Sequence, residues 1–247
     1  MKIPYSWLKE LLPSAPSVAE CSELFTGIGL AVEEIVELLA PPEGVVIAKI
    51  VSMKKVEGSD KLNHCIVSDG KNEYSIVTAA PNTHEGMISA LAPIGTNLPA
   101  AGFKVGKRKL MGIESNGVLC SPKELGLYDS SAGIIEFADE GEIGNSLVEL
   151  WPAETVLDLE ITPNRADTLS LLGVARDLAA KLQVDFKHPA EGLELADPSI
   201  DDGLTIEIKN TEASPRFSLQ RIDNVEIKPS PIWLQRRLAS VGLRPRN

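Results

Sequence analysis

The chain has 247 residues, and 24 Lys and Arg against 35 Asp and Glu give a formal net charge of −11. Apolar residues make up 43% and charged residues 24%, which is typical of globular proteins and excludes disordered and collagen-like classes. No segment approaches the ~20 apolar residues that cross a bilayer, and three scattered cysteines fit neither a disulfide framework nor a zinc site, so we expect a cytoplasmic protein without a membrane partner.

Residues 1–40 are predicted to form short helices. Ser17 and Glu20 have the spacing of a capping box, which opens a helix that ends near Gly27. Apolar residues interspersed with acids suggest a further helical stretch from Leu30 to Ala40. The proline pair that follows closes this segment, because proline lacks a backbone hydrogen-bond donor.

Residues 41–150 change to short runs rich in β-branched residues, separated by turn sequences such as Asp69-Gly70. The short strands and one long Gly- and Pro-bearing excursion predict a small closed β-barrel, although the residues alone leave OB-type and other small barrels open. The strand candidates are residues 45–56, 62–69, 73–78, 87–92, 117–120 and 133–137.

Residues 151–190 are predicted to contain a strand over 156–161 and a helix near 168–184. Because the segments 1–40 and 151–190 are each too short for an independent core, we expect them to pack together as one helical N-terminal domain. The barrel is then an insertion between them, which a domain tolerates where its two ends lie close together.

The acidic residues 191–203 are predicted to be a linker. Strand-like runs follow over 204–209 and 217–225. A last helix is predicted with Ser230 as its N-cap, Pro231 in its first turn and Gly242 as its end. Residues 204–247 are too few to form a complete domain, so we expect this domain to be truncated.

Four cations fall within six residues that hold no acid: Lys104, Lys107, Arg108 and Lys109. On a barrel, such a cluster lies beside a surface loop, where phosphates can reach it. The alternative is a solvated run that keeps an edge strand from aggregating, and charge alone favours this alternative.

Other polar groups do not predict a catalytic or metal site. Arg165 and Asp167 are expected to pair locally at a helix start, and His64 has no partner at metal-ligand spacing. The sequence also lacks a glycine-rich phosphate loop, so ATP binding is not expected within these residues.

Four motifs in the middle of the chain occur in a characteristic order: residues 57–62, 67–70, 76–82 and 112–121. Together they resemble the tRNA-binding OB domain that is attached to several tRNA synthetases and also occurs free-standing. That family usually has Arg directly before the glycine of the last motif, where this chain has Met111. The departure removes one phosphate contact, which Arg108 or Lys109 can replace.

The sequences on either side of these motifs indicate a more specific family. Residues 1–8, 157–173 and 229–245 are similar to the β chains of bacterial phenylalanyl-tRNA synthetases, in which Pro replaces Ala166 and Cys replaces Thr168. The resemblance implies an α+β chain: an OB-type barrel inserted into a helical N-terminal domain, followed by the truncated start of an editing-like (B3/B4) domain at residues 204–247. It thus identifies the chain as an N-terminal fragment.

The resemblance also implies the function of the whole enzyme, which uses ATP and Mg²⁺ to attach phenylalanine to its tRNA. The family assembles two α and two β chains, the α chain carries the aminoacylation site, and the editing residues fall beyond residue 247. The fragment is therefore expected to have no cofactor, metal or catalytic residue of its own. Its expected tRNA-binding residues are Lys104, Lys107, Arg108 and Lys109, with Ser115 and Asn116 shaping the adjoining turn.

Two other functions stay open at this point. The chain is alternatively a free-standing OB-type RNA-binding or chaperone module, or a scaffold whose barrel docks protein.

Overall fold

The computed structural model describes residues 1–138, 142–194, 205–219 and 221–245. The chain divides into two compact units, residues 1–187 with 228–247 and residues 188–227. In chain order, the helices and strands of the described ranges are β1 (Lys2–Pro4), α1 (Tyr5–Leu11), α2 (Val18–Gly27), β2 (Val32–Leu38), β3 (Val46–Lys55), β4 (Asn63–Ser68), β5 (Glu73–Thr78), β6 (Ile88–Pro93), β7 (Asn97–Leu98), β8 (Phe103–Lys104), β9 (Arg108–Leu110), β10 (Ile113–Ser115), β11 (Gly117–Leu119), α3 (Leu147–Leu150), β12 (Glu154–Leu159), α4 (Leu171–Leu182) and α5 (Ile232–Ser240).

Five antiparallel strands form a nearly closed barrel in the order β11-β6-β3-β4-β5. A register shift in β3 between Ile50 and Ser52 bends this strand, which pairs with both β4 and β6. The barrel interior is apolar and fully buried, and it includes Ile50, Cys65, Val67, Ile76, Leu91 and Leu119. The predicted small barrel is confirmed, but residues 133–137 form no strand, and Phe137 makes only an isolated bridge to Ile88.

The residues on either side of the barrel in sequence meet in a second, three-stranded sheet of order β1-β12-β2. In this sheet β2 pairs antiparallel with β12, although 115 residues separate Leu38 from Glu154 along the chain. Helices α1, α2 and α4 contribute to one buried cluster with this sheet, which includes Leu8, Phe25, Leu30, Leu157, Val174 and Leu178.

The helical interpretation of residues 30–40 is wrong, because Val32–Leu38 forms strand β2. Its β-branched residues pair with β12, for example Val36 with Val156, and this long-range pairing overrides the local pattern. The N-terminal segment is therefore a mixture of helices and strands. The capping box is confirmed, since the Ser17 side chain accepts from the Glu20 N–H and the Glu20 side chain accepts from the Ser17 N–H.

Helix α5 belongs to the first unit and packs on the barrel and on α1. Ile232 is buried in a cluster with Phe137 and Trp151, and the Gln235 side-chain amide donates to the Glu136 carbonyl at 2.7 Å. Arg237 pairs with Glu10 and stacks on Trp7 and Trp233, with its guanidinium carbon 4.8 and 5.3 Å from the two ring centroids.

The second unit contains turns and irregular segments within its described residues. The strands expected at 204–209 and 217–225 are wrong within the described part of those ranges; residues 204 and 220 lie outside it. Most of the predicted linker, residues 195–203, also lies outside the described residues.

Candidate nucleic-acid interface

The cationic cluster lies in and directly before a two-stranded hairpin, β9–β10, which forms a sheet separate from the barrel sheet. Lys104 lies in β8, and Arg108 and Lys109 lie in β9. We refer to residues 104–115 as the cationic hairpin. β9 pairs antiparallel with β10, and Leu110 is opposite Ile113. The two residues between them, Met111 and Gly112, have φ values of 48° and 82°. Two left-handed residues in a two-residue loop match the twist of the flanking strands, which explains the tight turn.

The sequence patterns do not predict this hairpin, and they place the expected turn at Ser115 and Asn116 instead. Met111-Gly112 is not one of the dipeptides that signal a two-residue hairpin, because Asn or Asp usually takes the first position. Gly112 is the available signal.

The side chains of Lys104, Lys107, Arg108 and Lys109 are all exposed. Lys107 Nζ lies 2.8 Å from Glu114 Oε2 on the partner strand, and this hydrogen bond, together with the lysine charge, lowers the pKa of Glu114. The Arg108 guanidinium lies 5.6 Å from the centroid of the Phe103 ring, which orients it by a cation–π contact. The hairpin therefore presents four cations to solvent, one of them in an ion pair.

Ser115 and Asn116 lie at the seam where the barrel closes. The buried Ser115 hydroxyl accepts from the Val77 N–H at 3.0 Å and donates to the Gly117 carbonyl at 3.2 Å. The Asn116 N–H donates to the Ser75 carbonyl at 2.8 Å. Both residues thus join the hairpin to strand β5, and both hydrogen bonds of the Ser115 hydroxyl are made within the barrel.

Beside this seam, strands β5 and β11 separate and leave an open groove. A cavity of about 260 Å³ lies next to the hairpin, and its walls include Val77, Phe103, Arg108 and Val118. A second cavity of about 450 Å³ continues along the same strands toward Lys123. The two cavities share the wall residues Val77, Thr78, Val118, Leu119 and Glu124.

The remaining polar clusters are structural. Arg165 forms ion pairs with Asp167 at 3.0 Å and Asp177 at 2.7 Å, which confirms the expected local pairing. Burial raises the pKa of the Cys21 and Cys65 thiols to about 11 and that of Cys120 to about 12, so none of them is an activated nucleophile.

Within the described ranges, no group of three or more His, Cys, Asp or Glu side chains is arranged to hold a metal ion. Over the same ranges, no helix is long and apolar enough to span a bilayer.

Comparison with known proteins matches the segment that contains the barrel. Residues 45–146 match the family model described as a putative tRNA binding domain. The crystal structure of a MetRS-related protein from Pyrococcus horikoshii is similar over 41% of this chain and 86% of that chain, with 21% identity and a TM-score of 0.31.

Curated relatives match along the entire chain. The phenylalanine–tRNA ligase β subunit of Deinococcus radiodurans is 38% identical over 99% of this chain and 31% of its own length. The corresponding subunits of Protochlamydia amoebophila and Bacillus subtilis are 35% and 36% identical over all of this chain, and over 31% and 32% of their own lengths. The chain thus spans about a third of the length of these relatives. The resemblance drawn from the motifs is confirmed: residues 45–146 match the putative tRNA-binding domain model, and the whole chain is similar to about a third of the length of phenylalanine–tRNA ligase β subunits.

Proposed function

We propose that this chain supplies tRNA binding and subunit packing to a phenylalanine–tRNA ligase. The observation that carries the proposal is the cationic hairpin, which lies inside the matched segment 45–146 and exposes four Lys and Arg side chains. Phosphate contacts of this kind position an RNA without reading its sequence. The names of the relatives favour this function over a free-standing RNA-binding module.

The proposal includes the finer organisation of the chain. The barrel is of the OB type and is an insertion in the N-terminal domain, which the pairing of β2 with β12 on either side of it supports. Residues 191–203 connect this region to the start of an editing-like domain at 204–247. The chain works in the cytoplasm with an α chain, in an assembly of two α and two β chains.

The complete ligase requires ATP and Mg²⁺ to activate phenylalanine, and the residues present here do not fit either group. The described part of the chain offers no cluster of carboxylates for a metal ion, and the sequence has no glycine-rich phosphate loop. No step of aminoacylation is therefore assigned to these residues.

The test is a salt titration of tRNA binding with two variants of equal charge. Changing Lys104, Lys107, Arg108 and Lys109 to Glu is expected to weaken binding about tenfold or more at low salt. It should also flatten the plot of log K against log salt by roughly 0.7–0.9 for each phosphate that the variant no longer neutralises. The control changes four exposed cations of the first unit outside the hairpin to Glu: Lys71, Arg176, Lys181 and Lys187.

The control is expected to retain most of the affinity and the wild-type slope. Equal losses in the two variants would show that only net charge matters, and an unchanged slope in the hairpin variant would remove the hairpin from the interface. Protein docking by the barrel predicts a third result, in which a purified ligase α chain binds and the hairpin variant leaves tRNA affinity unchanged.

A further inference from the structure

The groove beside the seam has the features of a site for one unpaired base. Its smaller cavity of about 260 Å³ lies below the roughly 300–1,000 Å³ of pockets that hold drug-sized ligands, so a single ring system is the appropriate size. Phe103, Val77 and Val118 give it apolar walls. A nucleobase has apolar faces and a polar edge, and it packs well on such walls.

The groove also contains one acceptor that the fold leaves available. Glu124 Oε2 accepts from the Ser121 N–H and the Ser121 hydroxyl, both at 2.7 Å, and these bonds fix the carboxylate at the groove wall. Among the described residues, no hydrogen bond reaches Glu124 Oε1. A carboxylate only accepts hydrogen bonds, so the groove selects a ligand that carries a donor at its edge.

A cation lines each of the two cavities. Arg108 lines the cavity next to the hairpin and is oriented by Phe103, whereas Lys123 lines the adjoining cavity and pairs with Asp129 at 2.8 Å. One cation in each cavity matches the charge of a nucleotide and its neighbouring phosphates. Because the same residues lie within the segment that matches the tRNA-binding family, RNA is favoured over a peptide as the occupant.

We infer that this groove binds an unpaired nucleotide of the RNA whose base carries an exocyclic amino group, with Glu124 accepting from that amino group. Cytosine, adenine and guanine carry such a group. Uracil carries a carbonyl oxygen where cytosine has its amino group, so two acceptors would face each other. The inference rests on the proposed RNA-binding function and adds base selectivity to it.

The test measures binding of short RNAs to the 247-residue chain by fluorescence anisotropy. Tetranucleotides of cytidine and adenosine are expected to bind about tenfold more tightly than the uridine tetranucleotide. A cytidine tetranucleotide dimethylated at every N4 has no donor at that edge, so the unchanged protein should bind it no better than the uridine RNA. Equal affinities for all four RNAs would overturn the inference.

A matched pair of variants then assigns the effect to Glu124. Glu124→Gln keeps an oxygen for Ser121 and turns an NH₂ donor toward the base, so the preference should move toward uridine. Glu43→Gln changes an exposed carboxyl outside both cavities and should leave the order of affinities unchanged. An unchanged order in Glu124→Gln would also overturn the inference.

The two proposals fail in different ways. If the hairpin variant weakens tRNA binding but the tetranucleotides bind equally, the groove inference is wrong and the proposed function stands. If neither tRNA nor any tetranucleotide binds, both are wrong.

Discussion

One continuous stretch of chain, residues 104–119, contains two regions with opposite physical character. Its first part, through Leu110, carries four exposed cations. Its second part, from Ser115 onward, is packed against β5 and β6 and closes the barrel. Charge presentation and barrel closure are therefore separable, although the two regions are adjacent in sequence. Substitutions in the first region should change RNA binding, and substitutions in the second should change stability.

The largest effect is expected at Gly117. A Cβ atom at this position would lie 2.9 Å from the Ala92 carbonyl oxygen and 3.1 Å from Ile76 Cδ1. Gly117→Ala should therefore lower the free energy of unfolding by about 2–3 kcal/mol, the cost of overpacking a core. Gly106 offers a matched control in the exposed region, since a Cβ there meets nothing within 4 Å.

Urea unfolding of the two alanine variants measures the contrast. Gly106→Ala should stay within about 0.5 kcal/mol of the wild type, as surface substitutions usually do. Similar losses in both variants would show that the two regions do not differ in packing.

Ser115→Ala is expected to have the next largest effect. It removes the acceptor of the Val77 N–H and leaves that donor unpaired at the seam. The expected loss in the free energy of unfolding is about 1–2 kcal/mol. Affinity for tRNA should stay at the wild-type value under conditions in which the variant is folded. Weaker binding with unchanged stability would place the Ser115 hydroxyl in the RNA interface instead of the seam.

Sequence patterns predict the strong local features of this fold. The capping box at Ser17 and the barrel strands that follow turn signals are correctly predicted, because each depends on a few neighbouring residues. Strand β2 is missed, because its partner β12 lies more than 100 residues away and local periodicity does not show that pairing.

The candidate site likewise has one part that the sequence predicts and one part that it does not. The four cations are visible as a charge cluster, but the position of Arg108 and Lys109 on a separate two-stranded sheet depends on the left-handed turn at Met111. The groove is not predicted, since Val77, Arg108 and Glu124 come from three separate segments that only the folded barrel brings together.

Asp69 contrasts with the exposed cations of the hairpin, because its carboxylate is held by hydrogen bonds within a barrel turn. Burial raises the pKa of this carboxyl, but hydrogen bonds from the Asn72 and Lys71 N–H groups and from the Tyr74 hydroxyl outweigh burial and lower it to about 2. The unfolded chain protonates Asp69 near the ordinary value of roughly 3.9. The ionised form therefore stabilises the fold above about pH 4, and this contribution is lost as the pH falls toward 2.

Comparison of Asp69→Asn with the wild type isolates this contribution from those of the other carboxyl groups. The variant should be less stable than the wild type by an amount that is constant between pH 5 and pH 8, as measured by urea unfolding. The difference should shrink as the pH falls from about 4 to about 2. A difference that does not change over this range would show that the charge of Asp69 does not stabilise the turn.

The smallest effect on stability is expected at Glu114, which lies opposite Lys109 and pairs with Lys107. Both members of the ion pair are more than half exposed, so water screens the interaction and Glu114→Gln should leave urea unfolding unchanged. The substitution frees Lys107 for a phosphate, and tRNA should then bind more tightly at low salt, with a salt slope steeper by about one unit. Since Glu114 competes with RNA for the lysine, a charge-preserving Glu114→Asp variant should fall between the wild type and the amide. Weaker tRNA binding by Glu114→Gln would mean that the ion pair positions the hairpin for RNA, and the separation between charge presentation and structure would then fail within the hairpin itself.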